Sequence, residues 1–213
     1  MRWLSVIAYI GSIFMANWFI QNVGTQYTPA TGWAQSLVYR ARVLGDASAS
    51  GCIAVAHGGD ASTATNGFWA SLNVATTGRL PLLYFIEDNG YGISVPSSRQ
   101  TPGGDIAANL ASFQNLRILS GDGADPEAAA ALIEAAVMTV RAGDGPVFLH
   151  LKVPRLSGHS GQDTQAYKSV AEIAAEQARD PLLGLHRRLV PAVLTETEWQ
   201  ALEDEANQEA LAA

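Results

Sequence analysis

Apolar residues in this chain come in short continuous runs separated by amphipathic stretches. Residues 52–57 (CIAVAH), 80–86 (LPLLYFI), 116–119 and 147–153 (VFLHLKV) are four such runs. Each is short and does not alternate with polar residues, the pattern of a strand buried on both faces. Helical patterns lie between them. Residues 28–44 carry Thr28 as a cap and Pro29 in the first turn, and Gly45-Asp46 closes them. Residues 62–77 form a second helix, stopped by Gly78. Asp125-Pro126 caps and starts an Ala-rich helix over 126–142, ended by the glycines at 143 and 145. Further helices are predicted at about 168–178 and 181–190, and a last one from Thr195, where Thr195 and Glu198 have capping-box spacing. Residues 45–51, 96–112 and 154–166 are rich in small and polar residues and read as loops. There is no internal repeat.

Strand-helix alternation with continuously apolar strands predicts an α/β fold: a parallel sheet flanked by helices on both faces. Ligands of such sheets bind beyond the carboxyl ends of the strands. That rule selects 58–63, 87–93 and 154–163, and all three segments carry polar residues.

The first twenty residues, MRWLSVIAYIGSIFMANWFI, stand apart with a single charge, Arg2. The apolar run over 3–20 approaches the length of a membrane span. Arg2 and the run also suit a signal peptide, although Met15-Ala16-Asn17 lacks the small-x-small cleavage pattern. The plainer reading is a buried segment covered by another part of the chain or by another subunit, and a third is a start that is not the domain's natural one. The organisation expected is therefore an apolar segment at 1–20 and one domain over 21–213.

Among the 213 residues, 13 basic and 20 acidic side chains give a net charge of −7. That balance argues against a nucleic-acid binder and against docking on anionic lipid through a polybasic patch. Six of the acids (Glu196, Glu198, Glu203, Asp204, Glu205, Glu209) fall in the last 18 residues, where there is no Lys or Arg, so the remainder is close to neutral. Cys52 is the single cysteine and cannot form an internal disulfide, which points to a reducing, cytoplasmic setting. Inside an apolar run it reads as an inert buried thiol. His150, alternating within a strand, reads as a packed core histidine, and His186 as a helix-surface residue; His57 receives no role.

Asp60 follows the first strand directly, flanked by Gly58, Gly59 and Ala61, and the amides of 61–63 lie at a helix start that favours an anion. Asn89 comes 29 residues later, at the end of the next strand. Adjacent parallel strands would bring the two side chains together. A carboxylate, an amide oxygen and a backbone carbonyl are hard ligands suited to Mg²⁺, which usually adds phosphate oxygens and water. A diphosphate clamped by Mg²⁺ is the ligand expected. Gly121-Asp122-Gly123 repeats the motif's opening, but 29 residues on lies Leu151 within a strand, so it reads as a turn before the helix over 126–142.

The stretch GDASTATNGFWASLNVATTGRLPLLYFIEDNGYGISVP (59–96) resembles the thiamine diphosphate motif. More narrowly it resembles the alpha subunit of the E1 component of 2-oxoacid dehydrogenase complexes, with the tail EDNGYGISVP (87–96) similar to the branched-chain type. Three further blocks agree in order and spacing: VGTQYTPATGWA (23–34), SGDGADPEAA (120–129) and PRLSGHSGQDTQAYKS (154–169). The resemblance spans about 21–210.

It implies that Asp60 and Asn89 hold Mg²⁺ with the Tyr91 carbonyl as third ligand. Ala61 and Ser62 would offer backbone to the diphosphate, and Gly92 would permit close approach. Val23 would lie against the cofactor. Arg155 and His159 would sit on the loop at its mouth, with His159 positioning the diphosphate and serving acyl transfer as donor or proton shuttle. Ser160 matches the position phosphorylated in mitochondrial relatives. Two departures stand out: Ala61 replaces the motif's Gly, tolerable at negative φ, and Asp88-Asn89 replaces Asn-Asn.

The resemblance also implies partners. The Glu that activates the aminopyrimidine comes from an E1 beta subunit or beta half, and the acyl group passes to a lipoylated E2. A heterotetramer, or a homodimer of a fused chain, is the intact enzyme expected. The chain looks shortened at its front, so in isolation it would bind cofactor weakly and not turn over a 2-oxoacid. Two other readings stay open: another thiamine diphosphate enzyme, such as a transketolase or acetolactate synthase relative, and a non-catalytic remnant acting as scaffold. The loop block at 154–169 favours the E1 reading over the first of these.

Overall fold

A computed structural model describes residues 23–212. The apolar segment at 1–20 lies outside the described residues. No helix among the described residues is long and apolar enough to cross a membrane.

Four strands form one parallel sheet: β1 (Ala54–Gly59), β2 (Leu82–Asp88), β5 (Arg117–Asp122) and β6 (Val147–Lys152), in the order β1-β2-β6-β5. A two-residue hairpin, β3 (Tyr91–Gly92) with β4 (Val95–Pro96), follows β2. The pairing Gly59↔Glu87, Asp88↔Lys152 and Asp122↔Lys152 brings all the carboxyl ends to one rim. β6 inserts between β2 and β5, so the chain leaves a gap after β2 and fills it last.

Helix α1 (Tyr27–Arg42) buries Tyr27, Ala30, Thr31 and Ala34, the i, i+3, i+4, i+7 stripe of one helical face. It starts a residue before Thr28, and its cap position, Gln26, makes no side-chain cap bond. Helix α2 (Asn66–Gly78) buries Phe68, Leu72 and Ala75 in the same way. Its left-handed cap is Arg79 (φ 45°) rather than Gly78. These two helices cover one sheet face, where Leu82, Tyr84, Ile86 and Phe148 complete the core. Helix α4 (Pro126–Arg141) covers the other face over Leu83, Val147, Leu149 and Leu151. The four-residue α3 (Ile106–Asn109) and Leu110 anchor the 96–112 segment, with Ile106 and Leu110 buried. Three helices complete the fold: α5 (Val170–Gln177), α6 (Pro181–Leu189) and α7 (Glu196–Ala212). The capping box at the start of α7 is present: Glu198 Oε2 accepts from the Thr195 N–H at 2.8 Å, and Thr195 Oγ1 accepts from the Glu198 N–H at 3.3 Å.

Three further expectations are corrected. Cys52 is exposed and lies ahead of β1; its thiol donates to the Ser48 carbonyl at 3.2 Å. The helix expected from 62 is preceded by a 3-10 turn over Asp60–Ala64. There the hydroxyls of Ser62, Thr63 and Thr65 donate to the carbonyls of Gly59, Asp60 and Ser62, and such bonds compete with the α-helical ladder. Gly121 and Asp122 are the last residues of β5 rather than a turn, because β6 pairs with them.

Candidate functional site

Asp60 is the first residue beyond β1 and is only 4% exposed. Its Oδ2 accepts from Ser97 Oγ at 2.7 Å, but Oδ1 is buried with no hydrogen-bond partner. Burial pushes its carboxyl above the usual range, and the charge of Asp88 adds to this. Ser97 and the backbone N–H groups of Asp60 and Asn89 only partly oppose it. An unpaired carboxylate oxygen in such a place is costly unless something cationic or donating meets it.

At the end of β2, Asp88 and Asn89 shape a tight turn. Asp88 Oδ1 accepts from the Gly90 N–H at 2.9 Å and Asn89 Oδ1 from the Tyr91 N–H at 3.0 Å. An amide oxygen has two lone pairs, so the Asn89 bond leaves one for a further partner. Burial alone would raise the Asp88 carboxyl. Hydrogen bonds from His150 and the Gly90 N–H, with the nearby Lys152 charge, outweigh it and hold Asp88 below the usual range. Among the described residues no three His, Cys, Asp or Glu side chains group as a metal site. The set available for a cation is one carboxylate, one amide and backbone carbonyls, which suits a hard ion.

The turn around Asp60 is tightly built. A Cβ on Gly58 would lie 2.5 Å from Ser62 Oγ and 2.8 Å from the Tyr27 hydroxyl. Tyr27 and Ser62 share a 2.5 Å hydrogen bond, so the Ser62 hydroxyl is engaged inside the protein. Ala61 is not among the positive-φ residues, so its methyl costs no backbone strain. It sits where a side chain on Gly92 would be: a Cβ there would come within 2.6 Å of the Ala61 Cβ. Val23 is 65% exposed, and its neighbour Gly24 packs against Thr65, just after the Asp60 turn.

The 154–169 loop is laced onto the hairpin. Arg155 is buried; it donates to the Ile93 carbonyl at 2.5 Å and to Asp163 at 3.2 Å, with its guanidinium 5.9 Å from the Tyr91 ring and 5.7 Å from the Tyr167 ring. Asp163 also accepts from the His159 and Gln165 N–H groups and the Tyr167 hydroxyl. The Tyr91 hydroxyl donates to Glu172 at 2.5 Å, and that bond leads in pushing it up to about 12. Lys168 Nζ lies 4.7 Å from the Tyr91 ring centroid and pairs with Glu176. Tyr91 is thus held from the loop side. Arg155 and His159, expected together, part company. The guanidinium is an internal clamp, whereas His159 is exposed and its imidazole makes no hydrogen bond among the described residues. Ser160 is exposed beside it.

Sequence reasoning missed Ser97, the partner of Asp60. It also missed the bond from His150 to Asp88, 62 positions apart. His150 is fully buried, as expected, but not as an apolar packing group.

Residues 15–213 match the family model described as "Dehydrogenase E1 component". The chain belongs to that family. It is 31% identical over 187 residues to the pyruvate dehydrogenase E1 component subunit alpha of Rhizobium meliloti (strain 1021), covering 87% of this chain and 49% of the relative. The corresponding subunit of Zymomonas mobilis is 30% identical over 188 residues, covering 88% and 51%. The chloroplastic alpha-3 subunit of Arabidopsis thaliana is 30% identical over 193 residues, covering 89% and 44%. The chain spans about half the length of the curated relatives it matches. The parallel sheet between helices is the fold expected of an E1 alpha chain.

Proposed function

We propose that this E1 chain binds thiamine diphosphate with Mg²⁺ at the rim of its sheet and serves the decarboxylation of a 2-oxoacid. The observation that carries this is the buried Oδ1 of Asp60, just beyond β1, which has no hydrogen-bond partner, with the Asn89 backbone N–H bearing on the same carboxylate from just beyond β2. Asp60, the Asn89 amide oxygen and the Tyr91 carbonyl would hold the cation. The backbone of Ala61 and Ser62, in the 3-10 turn that follows β1, would receive the diphosphate. Gly92 would leave room nearby, and Val23 would offer an apolar contact. Bound thiamine diphosphate supplies the electron sink for decarboxylation.

The chain's own residues then have distinct tasks. Arg155 fixes the hairpin at Ile93 and the loop at Asp163. His159, whose solvent-facing imidazole makes no hydrogen bond among the described residues, is available to hold or deliver a proton during acyl transfer. Turnover requires an E1 beta-type partner, to which the resemblance assigns the activating Glu, and a lipoylated E2 as acceptor. The single cysteine, which leaves no internal disulfide, supports a cytoplasmic setting. The substrate is a 2-oxoacid. The 87–96 segment favours a branched one, whereas the relatives named above are pyruvate dehydrogenase subunits.

Calorimetry of the chain with thiamine diphosphate and MgCl₂, with and without a co-expressed beta-type chain, tests this. Binding that strengthens with the partner, with decarboxylation of 2-oxoisovalerate or pyruvate, is the expected result. No heat under either condition would overturn the proposal in favour of a non-catalytic scaffold.

A further inference from the structure

Behind the 88–91 turn a buried histidine bridges a half-buried carboxylate and an exposed serine, and the proposed function leaves all three unused. His150 stands on β6 with no exposed surface. Its Nε2 lies 2.7 Å from Asp88 Oδ2, at the end of β2. Its Nδ1 lies 3.0 Å from Ser120 Oγ, on β5. One imidazole thus laces three neighbouring strands just below the rim. The other oxygen of Asp88 accepts from the Gly90 N–H at 2.9 Å. The same carboxylate therefore takes the imidazole on one side and closes the turn on the other. Asn89 and Tyr91 flank Gly90, whose φ of 78° fixes the turn's left-handed step.

We propose that His150 is a positioning residue for the cation site. It anchors Asp88, and Asp88 holds the turn that presents Asn89 and the Tyr91 carbonyl towards Asp60. This rests on the functional reading above. The physical ground is that Asp88 is a largely buried carboxylate, its side chain 10% exposed. Without the imidazole its Oδ2 would have to reach water, and the short turn would open to let it. Metal ligands tolerate only a few tenths of an ångström of displacement, so a group that touches no ligand can still govern affinity.

A histidine that merely fills the core predicts something else. An apolar residue of similar size would then serve as well, and the turn would not notice. The test therefore compares His150→Leu, which removes the donor, with His150→Gln, whose amide nitrogen can donate to Asp88. Two readouts are taken on the full chain. The first is hydrogen exchange of the peptide covering 87–93 without any cation. The second is Mn²⁺ affinity by electron paramagnetic resonance with thiamine diphosphate and a beta-type partner present.

In His150→Leu the peptide should exchange about tenfold faster while the centres of β1 and β2 stay protected. Its Mn²⁺ affinity should fall about 10- to 100-fold. His150→Gln should stay within about threefold of wild type on both, which is less than one net hydrogen bond is worth. If His150→Leu fails to fold, Ser120→Ala, which frees the imidazole on its other side, should speed exchange of 87–93 by about three- to tenfold. Unchanged exchange and affinity in His150→Leu, a Gln variant as impaired as the Leu one, or an indifferent Ser120→Ala would each overturn the proposal. Wild-type protein that binds no Mn²⁺ overturns the functional reading and this inference together. Wild-type binding that survives unchanged in His150→Leu overturns this inference alone.

Discussion

Replacing Asp60 by Asn removes a charge without changing volume, and the structure predicts opposite effects with and without ligand. In the ligand-free chain Oδ1 is buried and unpaired, while Oδ2 keeps the Ser97 hydroxyl. A buried polar group left unsatisfied costs about 1–3 kcal/mol. Because half of the carboxylate is satisfied, the lower end applies, and the amide should relieve about 1 kcal/mol. For a chain of this size that raises the melting temperature by about 2–4 °C. With Mg²⁺ and thiamine diphosphate at about 100 times Kd, wild type should gain about 2.7 kcal/mol. The Asn variant should forfeit most of it, so the order of stability inverts.

The pH dependence has a definite sign. Burial raises the Asp60 carboxyl in the folded chain. Its favourable contribution is therefore complete below the ordinary carboxylate value and is lost as pH rises through the raised one. The difference between variant and ligand-free wild type should thus be largest at neutral pH and shrink on acidification. Urea unfolding of both proteins, at neutral and mildly acid pH, with and without ligands, measures all of this. A ligand-free variant less stable than wild type by 1 kcal/mol or more, about the size of the gain expected, would refute the reasoning. So would equal ligand stabilisation of both proteins.

Other outcomes follow from the same geometry. Gly92→Ala should cost about 1–3 kcal/mol in urea unfolding, because its Cβ would lie 2.6 Å from that of Ala61; adding Ala61→Gly should recover a measurable part, as a double-mutant cycle would show. Asp163→Ala removes the acceptor shared by His159, Gln165, Tyr167 and Arg155, so limited proteolysis within 154–169 should accelerate while the strands resist. Backbone N–H groups of His159 and Gln165 hold the Asp163 carboxyl below the usual range, so in wild type the same loosening should appear only as pH falls through that lowered value. Phe68→Ala should cost about 3–5 kcal/mol, since the ring is fully buried against Tyr27, Tyr84 and Phe148.

The order of strands and helices, and the double-sided burial of the sheet, could be read from the residues. Runs such as LPLLYFI record burial on both faces, and Thr195 with Glu198 records a helix start through groups three positions apart. The placing of Asp60 and Asn89 at the rim was legible because strand ends follow from local pattern, and parallel strands must end at a shared rim. Local pattern misled where side chains or partners act at a distance. Apolar neighbours suggested burial for Cys52, but β1 begins beyond it. The hydroxyl-rich 62–65 stretch suited a helix until its own carbonyl bonds tightened it into a 3-10 turn. Gly121-Asp122 reads as a turn until β6 is seen to pair with it. The clamp of Arg155 on Ile93, the bond of His150 to Asp88 and the bond of Ser97 to Asp60 join segments far apart in the chain. The periodicity of a sequence records which side of each element meets solvent. Which polar groups meet one another depends on how the elements converge, and in this protein that was decided only when β6 took its place between β2 and β5.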